Sequence, residues 1–516
     1  MIAPGKPWAD LSAVLFLIAL VIGLQVYSGA YGSDFTADDD EAAHAVSSLM
    51  VHDYVVHGFP ENSLHYAERF YTHYPKVAIG HWPPLFYAGE AAWMLVFGRT
   101  RIAMLAFEAA LSVALLASVF VWVRRDYGVG IGLICAVVLA MAPFMQSDII
   151  SVAPNIALAL LAFWAVVALG NYFDRGRRRD AVLFAVLAAA AAGVHGRGVA
   201  LAFLPLVLPL TGKFPWTRIR ISILTGAIAV AVVVPWLLRQ ASPPSIRNVF
   251  YYAGIYWYRC GVSMGWPVLI LAVAGAVAVL RRTTQPRRWL TMPALAISGW
   301  LFHSVVNAYW SDRYLVTAAP AVAVLAGAGL HWCFTTPAMG RMARAAVLAV
   351  VCGGLAWSAL PLARKDDLGY HRLGPLMGHI DLIAGDPLHE GAFVSEMALR
   401  DHGLDRIALR GTKVLATSTW SGYRYQLLFT TPADVLGFLD RARVETVLVQ
   451  RDSRQPHVVQ LAEALGWDGT RWREVHLEGQ PAGVAAFGRV AALPPGEPVI
   501  FLDLRYTLRQ MLEVKP

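Results

Sequence analysis

Long apolar runs that alternate with short polar loops dominate the sequence. The first run, residues 11–30, has 20 residues without a charge. A helix of that length, at 1.5 Å per residue, spans the ~30 Å of hydrocarbon in a bilayer. Ten more runs follow, at residues 102–123, 127–145, 154–173, 181–196, 198–212, 221–238, 261–280, 289–307, 315–334 and 345–362. The runs predict a mainly α-helical, polytopic transmembrane bundle of about eleven spans.

The overall composition excludes a water-soluble chain of about three domains, which a length of 516 residues would otherwise suggest. Hydrophobic residues make up 57% of the chain and charged residues 15%, whereas a globular domain carries about 25% charged residues. The formal net charge is +8, but the arginines cluster in short loops between apolar runs. Since a nucleic-acid partner requires a basic face with interleaved aromatics, none is expected.

Lysine and arginine residues are distributed unequally between the two sides of the bundle. Alternate loops, beginning with the N-terminal segment, hold 16 of them, and the short loops of the other set hold five. Because basic short loops stay in the cytoplasm, we expect a multi-pass protein of the plasma (inner) membrane with a cytoplasmic N-terminus. The loop at residues 31–101 is then outside, and after eleven spans so is the segment 363–516.

The sequence changes character after residue 362, which divides it into a transmembrane domain (1–362) and an extracytoplasmic domain (363–516). Short β-type runs occur at residues 392–395, 413–416, 424–429, 446–450 and 484–487. Thr431, Pro432 and Asp434 have the pattern of a helix start, and that helix is predicted to reach about residue 443. The alternation of strands and helices predicts a small α/β domain.

Four consecutive acids, Asp38, Asp39, Asp40 and Glu41, follow the first apolar run. Each charge at the bilayer centre costs roughly 2.5–3.5 kcal/mol, so the cluster is expected at or beyond the membrane surface. Carboxylates in this place could act as a general base or bind a metal, or they could simply begin a solvated loop. Residues 42–56, directly after them, predict an amphipathic helix that lies on the membrane.

Histidines are frequent in the same outer loop. They are His44, His52, His57, His65, His73 and His81. No pair has the i, i+4 spacing of a zinc-protease helix, so no metal site is predicted. A divalent metal held by these histidines and the acidic cluster is the alternative to polar residues at the membrane interface.

Arginines with aromatic or polar neighbours recur in the loops of the outer set. They are Arg247 and Arg259 within the aromatic segment 239–260, Arg197 beside His195, and Arg313 between Asp312 and Tyr314. Arginine binds phosphate through two hydrogen bonds, and aromatics lie at headgroup depth. The pattern predicts a site for a lipid with an anionic head. The alternatives are an ordinary aromatic belt, a snorkelling arginine and an Asp312–Arg313 ion pair.

Five short motifs follow one another within residues 11–335. They are Asp40-Glu41, Pro83-Pro84-Leu85-Phe86-Tyr87, Ser147-Asp148 through Asn155, His195-Gly196-Arg197-Gly198, and Arg313-Tyr314 with Pro320. In their order and predicted sidedness, they resemble those of the GT-C superfamily of integral-membrane glycosyltransferases, most closely the branch of protein O-mannosyltransferases and lipid A aminoarabinose transferases. The chain departs from the branch at His44 (often Tyr), Trp82 after His81 (Lys in the branch) and Asn155 (usually Asp).

The resemblance implies a glycosyltransferase that moves a sugar, with inversion, from a polyprenyl-phosphate donor to a lipid, polysaccharide or protein acceptor on the outer face of the membrane. It implies Asp40 as the general base and Glu41 as an orienting acid. The donor phosphate and lipid would contact Arg313, Tyr314, Arg197, His195, Arg259 and Arg247. The rest of the cavity would be formed by His81, Trp82, Asp148, Asn155 and His44.

Two other functions stay open at this point. One is a transporter or flippase of lipid-linked saccharides, and the other is a non-catalytic relative that binds polyprenyl lipid. Transporters usually show internal repeats and ionisable residues near the midplane of their spans. Here Glu108 is nearly the only acid inside an apolar run, and no internal repeat is evident. The pattern therefore favours the transferase.

Overall fold

The computed structural model describes residues 7–78, 81–211, 215–237, 246–281, 287–306, 311–337, 339–375, 378–417, 425–493 and 496–500. The first hundred residues form one apolar helix and three helices of the loop that follows it. They are α1 (Pro7–Tyr27), α2 (Glu41–Val56), α3 (Ser63–His73) and α4 (Leu85–Phe97). The prediction that α2 lies on the membrane is wrong. Most of its residues are buried in protein, because a later helix covers it.

Residues 101–359 are almost wholly helical where they are described. The helices are α5 (Arg101–Tyr127), α6 (Val129–Met141), α7 (Pro143–Ile149), α8 (Asn155–Arg175), α9 (Arg178–Val194), α10 (Leu204–Thr211), α11 (Trp216–Leu237), α12 (Ile246–Met264), α13 (Trp266–Arg281), α14 (Thr291–Val306), α15 (Ala319–Thr335) and α16 (Arg341–Ala359). Short 3₁₀ turns occur at Gly196–Phe203, Arg287–Leu290 and Asp312–Leu315. Each apolar run of the sequence falls mainly on such a helix.

Four of the described helices, α1, α5, α8 and α16, are long and apolar enough to cross a membrane by themselves. The count rises to six if each of two bent pairs is one span. The pairs are α6 with α7, bent by 77°, and α12 with α13, bent by 115°. The expected eleven spans are therefore not confirmed, since several apolar helices are shorter than a bilayer is thick. The segment 239–260, expected as a loop, belongs largely to α12 where it is described.

Glycines allow two apolar helices, α13 and α15, to cross at very short distance. A Cβ at Gly275 of α13 would lie 1.9 Å from the carbonyl oxygen of Leu325, and one at Gly329 of α15 would lie 2.1 Å from that of Leu271. Small residues permit such backbone contact, which stabilises helix pairs in lipid. The crossing fixes α15, and the turn just before α15 carries Asp312 and Arg313.

From residue 380 the chain forms a five-stranded mixed sheet and a separate two-stranded pair. The strands are β1 (Ile380–Ala384), β2 (Ile407–Arg410), β3 (Ala416–Thr417), β4 (Gln426–Leu427), β5 (Thr446–Gln450), β6 (Trp472–Val475) and β7 (Val484–Arg489). The order is β2-β1-β5-β7-β6, in which β2, β1 and β5 are parallel and β7 is antiparallel to both neighbours. The helices between the strands are α17 (Pro387–Arg400), α18 (Gly411–Val414), α19 (Pro432–Arg441) and α20 (Pro456–Trp467).

Local signals explain where the strand predictions succeed and fail. Runs 446–450 and 484–487 are strands, and Thr431 caps α19 in a capping box with Asp434. The strand predicted at 392–395 is wrong because these residues lie inside α17. The carboxylate of Asp386 accepts from the N–H groups of Leu388 and His389 and begins a helix there. Residues 413–416 are divided between α18 and β3.

The sheet-forming part of the chain packs tightly on the outer loop. A Cβ at Gly391 of α17 would lie 3.2 Å from the Cβ of Ala42 in α2 and 3.2 Å from Cε of Lys76. Arg99 donates to the carboxylate of Asp53 and to three carbonyl oxygens at the end of α17, at 2.7–3.0 Å. The loop at residues 31–101 is therefore held between the bundle and α17.

Candidate active site

A cavity of about 770 Å³ lies between the acidic cluster, the start of α8 and the turn before α15. It is lined by Asp38, Asp39, Asp40, His44, His81, Trp82, Phe144, Ser147, Asp148, Pro154, Asn155, His195, Arg197, Ser311, Asp312 and Arg313. Nine of the predicted site residues are among them. Residues of four of the sequence motifs, together with His81 and Trp82, thus meet in one place.

Arg313 connects two carboxylates of the acidic cluster. Its Nη1 lies 3.0 Å from Oδ2 of Asp38, and its Nη2 lies 2.6 Å from Oδ2 of Asp40. Burial and the negative charge of Asp40 raise the pKa of Asp38 to about 6, although Arg313 acts in the opposite direction. Asp40 precedes the first turn of α2, where the helix dipole stabilises a carboxylate. A cluster of two carboxylates and one guanidinium therefore faces the cavity.

Glu41 is next to Asp40 in sequence but does not line the cavity. Its carboxylate is fully buried and accepts from Nζ of Lys365 at 2.6 Å. It also accepts from the backbone N–H groups of Ala37 at 2.8 Å and Val152 at 3.0 Å. This places Glu41 behind the turn, where contact with a substrate in the cavity is not available to it.

A chain of polar contacts joins the opposite wall to Arg313. The side-chain amide of Asn155 donates to Asp148 at 2.8 Å. Nη1 of Arg197 lies 3.4 Å from Oδ1 of Asn155 and 3.2 Å from the carbonyl oxygen of Arg313. The guanidinium of Arg197 is 4.1 Å above the centre of the Tyr314 ring, in cation–π contact. Tyr314 therefore supports Arg197 and does not line the cavity itself.

Arg259 forms an ion pair with Asp312. It donates to both carboxylate oxygens of Asp312, at 2.6 and 2.7 Å, and Ser263 donates to the same carboxylate at 3.1 Å. Arg259 neutralises Asp312 and is not among the residues that line the cavity, and its contact with the donor phosphate stays a prediction. Arg247 lies in α12, but its side chain is outside the described part of the structure.

Histidines and aromatics form another wall. His44 Nδ1 is 2.9 Å from the hydroxyl of Tyr87. The ring of Trp82 has its centre 4.2 Å from that of His44 and 4.6 Å from that of His81. Burial lowers the pKa of His44 to about 3 and also lowers the pKa of His81. These imidazoles are neutral at neutral pH, so the arginines supply the positive charge of the cavity.

Within the described ranges, one group of acids and histidines is close enough to share a metal ion: Asp34, Asp367 and His371. None of these residues lines the cavity. The carboxylate of Asp34 already accepts from the N–H groups of Gly369, Tyr370 and His371. These bonds give Asp34 a structural role, and the histidines named from the sequence are not part of the group.

No protein-family model matches the sequence, and no curated protein matches it either. Solved structures share its fold. ArnT from Cupriavidus metallidurans bound to undecaprenyl phosphate aligns with 93% of this chain and 99% of its own, with a TM-score of 0.57 and 14% identity. The Archaeoglobus fulgidus oligosaccharyltransferase in its apo form aligns with 87% of this chain and 70% of its own, with a TM-score of 0.57 and 11% identity.

A further structure of the archaeal enzyme, named AglB and in complex with an inhibitory peptide and a dolichol-phosphate, aligns with 86% of this chain and 69% of its own, at a TM-score of 0.51 and 12% identity. The chain therefore has the fold of the GT-C glycosyltransferases, as the order of its sequence motifs predicted. At these identities the likeness concerns the fold.

Asp38 and Lys365 were not among the site residues predicted from the sequence, and neither were Asp39, Phe144, Ser147, Pro154, Ser311 and Asp312 of the cavity wall. Asp38 was considered only as one of the four consecutive acids, yet it shares Arg313 with Asp40. Lys365 pairs with Glu41 over 324 residues of sequence. No spacing or motif near residue 365 indicates such a contact.

Proposed function

We propose that the protein is a membrane glycosyltransferase that takes a sugar from a polyprenyl-phosphate donor and transfers it, with inversion, to an acceptor on the outer face of the membrane. The observation that carries the proposal is the cavity in which Arg313 lies beside Asp40. The fold supports it, since relatives with the same fold were solved with undecaprenyl phosphate and with dolichol-phosphate.

The donor requires a positive charge near its phosphate but no proton. The leaving group of the reaction is polyprenyl phosphate, which is stable as an anion at neutral pH, so electrostatic stabilisation is enough. The planar fork of Arg313 matches two phosphate oxygens. Arg197, which bonds the backbone of Arg313 and stacks on Tyr314, holds a second positive charge near the same place.

Arg313 couples donor binding to the base. A phosphate that binds this guanidinium competes with Asp38 and Asp40, which lie 3.0 and 2.6 Å from it. When the phosphate takes over these contacts, the carboxylate of Asp40 loses this cation and becomes more basic. The base is then set free in the presence of the donor.

The proposed step is a single displacement. The acceptor hydroxyl or amine attacks the anomeric carbon while its proton passes to the carboxylate of Asp40. The bond between that carbon and the phosphate oxygen breaks, its electron pair stays on the oxygen, and polyprenyl phosphate leaves against Arg313. A positioned general base typically contributes 10²–10⁴-fold in rate.

The remaining features of the proposal concern place and partners. The N-terminus would be cytoplasmic, and residues 363–516 would lie outside the membrane, next to the acceptor. The acceptor would be a lipid, a polysaccharide or a protein. A divalent metal would be a second source of positive charge for the phosphate.

Release of the carrier separates the transferase from a transporter of the same lipids. Purified protein in detergent is given a polyprenyl-phosphate sugar with and without an acceptor extract, and free polyprenyl phosphate is measured. We expect acceptor-dependent release by the wild type and by Glu61→Gln, a carboxylate of the same outer loop that pairs with Arg69 at the surface. Loss of release in Asp40→Asn completes the expected result. An intact donor in every sample would instead support transport or mere binding.

A further inference from the structure

Residues 363–371, which we call the strap, run behind the turn that carries Asp38 and Asp40. The N–H of Lys365 donates to the carbonyl oxygen of Ser28 at 3.0 Å, and the hydroxyl of Thr36 donates to the carbonyl oxygen of Asp366. Asp34 accepts from three consecutive N–H groups of the strap at 2.7–3.1 Å. The strap is therefore bound along its length to the segment that leads into the acidic cluster.

Lys365 reaches from the strap to Glu41. Its Nζ lies 2.6 Å from Oε1 of Glu41, and neither side chain is exposed. Burial lowers the pKa of Lys365, which the carboxylate of Glu41 opposes. Taking two such charges out of water costs several kcal/mol per ion in real proteins, so a buried pair is weak evidence for stability. The presence of this buried ion pair is therefore better explained by the other contacts that Glu41 makes.

Glu41 bonds both to the turn at residues 37–41 and to a segment on the other side of the cavity. Its Oε2 accepts from the N–H of Ala37 at 2.8 Å, so the carboxylate bonds back across the turn that contains Asp38 and Asp40. Its Oε1, the atom that meets Lys365, also accepts from the N–H of Val152 at 3.0 Å. Val152 belongs to the segment between Asp148 and Asn155 on the other side of the cavity. One carboxylate thus sets the turn and its distance from the opposite wall.

We propose that Lys365 is a positioning residue, which acts through Glu41 to hold the turn at residues 37–41 so that the carboxylate of Asp40 faces the cavity. The catalytic consequence rests on the proposed function, whereas the effect on the turn does not. Asp38 assists from within the turn, because its Oδ1 accepts from the N–H groups of Asp40 and Glu41 at 2.9 and 2.8 Å.

The alternative is that Lys365 only docks the strap and the sheet-forming part of the chain on the bundle. Arg99 provides a matched control for that role. It is similarly buried, pairs with Asp53 at 2.8 Å, and bonds the end of α17. It ties the same loop to the same part of the chain without contact with the turn at 37–41.

Two measurements distinguish the positioning role of Lys365 from a docking role. They are made on Lys365→Met, Lys365→Arg and Arg99→Met. In transfer assays, Lys365→Met is expected to lower kcat about 10- to 100-fold, the effect of misplacing a catalytic group by about 1 Å, with the donor KM within about twofold. Lys365→Arg keeps the charge and recovers part of kcat. Arg99→Met retains the kcat of the wild type per folded molecule.

Hydrogen exchange reports the turn independently of any transfer activity. The amides of Ala37, Asp40 and Glu41 are bonded to carboxylates, and Lys365→Met is expected to speed their exchange at least about tenfold. Arg99→Met leaves their exchange unchanged. If Lys365→Met does not fold, the double variant Glu41→Gln/Lys365→Met removes both buried charges and is measured in the same way.

The outcomes decide between the accounts. Wild-type exchange of the turn in folded Lys365→Met overturns the positioning role, and so does an equal loss of kcat in Arg99→Met. If the wild type transfers no sugar but the turn exchanges faster in Lys365→Met, the proposed function fails and the positioning of the turn stands.

Discussion

Substitution of Arg313 puts the proposed donor site to a quantitative test. The guanidinium now makes two ionic hydrogen bonds, at 3.0 Å to Asp38 and at 2.6 Å to Asp40. A donor phosphate in their place would accept two bonds of the same kind. Hydrogen bonds to charged groups contribute about 1.5–3 kcal/mol each, so Arg313→Ala forfeits about 3–6 kcal/mol. The phosphate no longer has to displace Asp38 and Asp40, but this returns little, because without the guanidinium these carboxylates repel the phosphate. At about 1.4 kcal/mol per decade, kcat/KM for the donor falls about 10²- to 10⁴-fold.

Arg313→Lys separates charge from shape. An ammonium keeps the positive charge but lacks the planar fork, so one of the two bonds is lost. The expected fall in kcat/KM is about 10- to 100-fold. The assay is the initial rate of sugar transfer at limiting polyprenyl-phosphate donor. The control is Arg69→Ala, which removes an exposed arginine of the same outer loop and leaves kcat/KM unchanged.

An Arg313→Ala variant that transfers sugar from limiting donor at the wild-type rate would contradict a phosphate-binding role for Arg313. Arg313 would then be only a structural partner of Asp38 and Asp40. A uniform loss of folded protein in both variants would point to the same structural role.

Three further predictions follow from the ion pairs. The pKa of Asp38 is raised to about 6, so this carboxylate is charged above that pH and competes with the donor phosphate for Arg313. Its protonation at about pH 5 should therefore lower the donor KM by up to about fivefold. In Asp38→Asn, the donor KM should show no such dependence on pH. Glu41→Gln leaves Lys365 buried without its carboxylate, at a cost of about 3–5 kcal/mol; thermal inactivation should occur at lower temperature than in the wild type, and Glu41→Gln/Lys365→Met should recover most of the loss. A reporter fused after Leu362 should be active only in the outer compartment, and cytoplasmic activity there would contradict the proposed orientation.

Charged residues next to apolar runs made much of the cavity predictable from the sequence. Asp40 and Arg313 are conspicuous because carboxylates and guanidinium groups cannot stay in hydrocarbon, and so they mark an aqueous face. Asp148, Asn155 and Arg197 were found through their order along the chain. The charge pattern alone could not separate Asp40 from Glu41, since a helix start turns successive side chains in different directions; the family resemblance supplied that distinction.

Contacts over long sequence distances were beyond such reasoning. Glu41 meets Lys365 and Val152 because three parts of the chain converge, and no local pattern encodes that. Apolar runs located the helices but not the bends between α6 and α7 or between α12 and α13. The strand expected at 392–395 failed for another reason: the cap at Asp386 overrides the β-type residues inside α17.

The role of Asp40 as the base is tested most directly by the single-turnover rate of sugar transfer at saturating donor, compared between the wild type and Asp40→Asn. This rate is expected to fall about 10²–10⁴-fold in Asp40→Asn. Donor affinity should stay the same or become tighter, because Asp40 no longer competes for Arg313. A single-turnover rate in Asp40→Asn equal to that of the wild type would contradict the assignment of Asp40 as the base and, with it, the proposed reaction at this cavity.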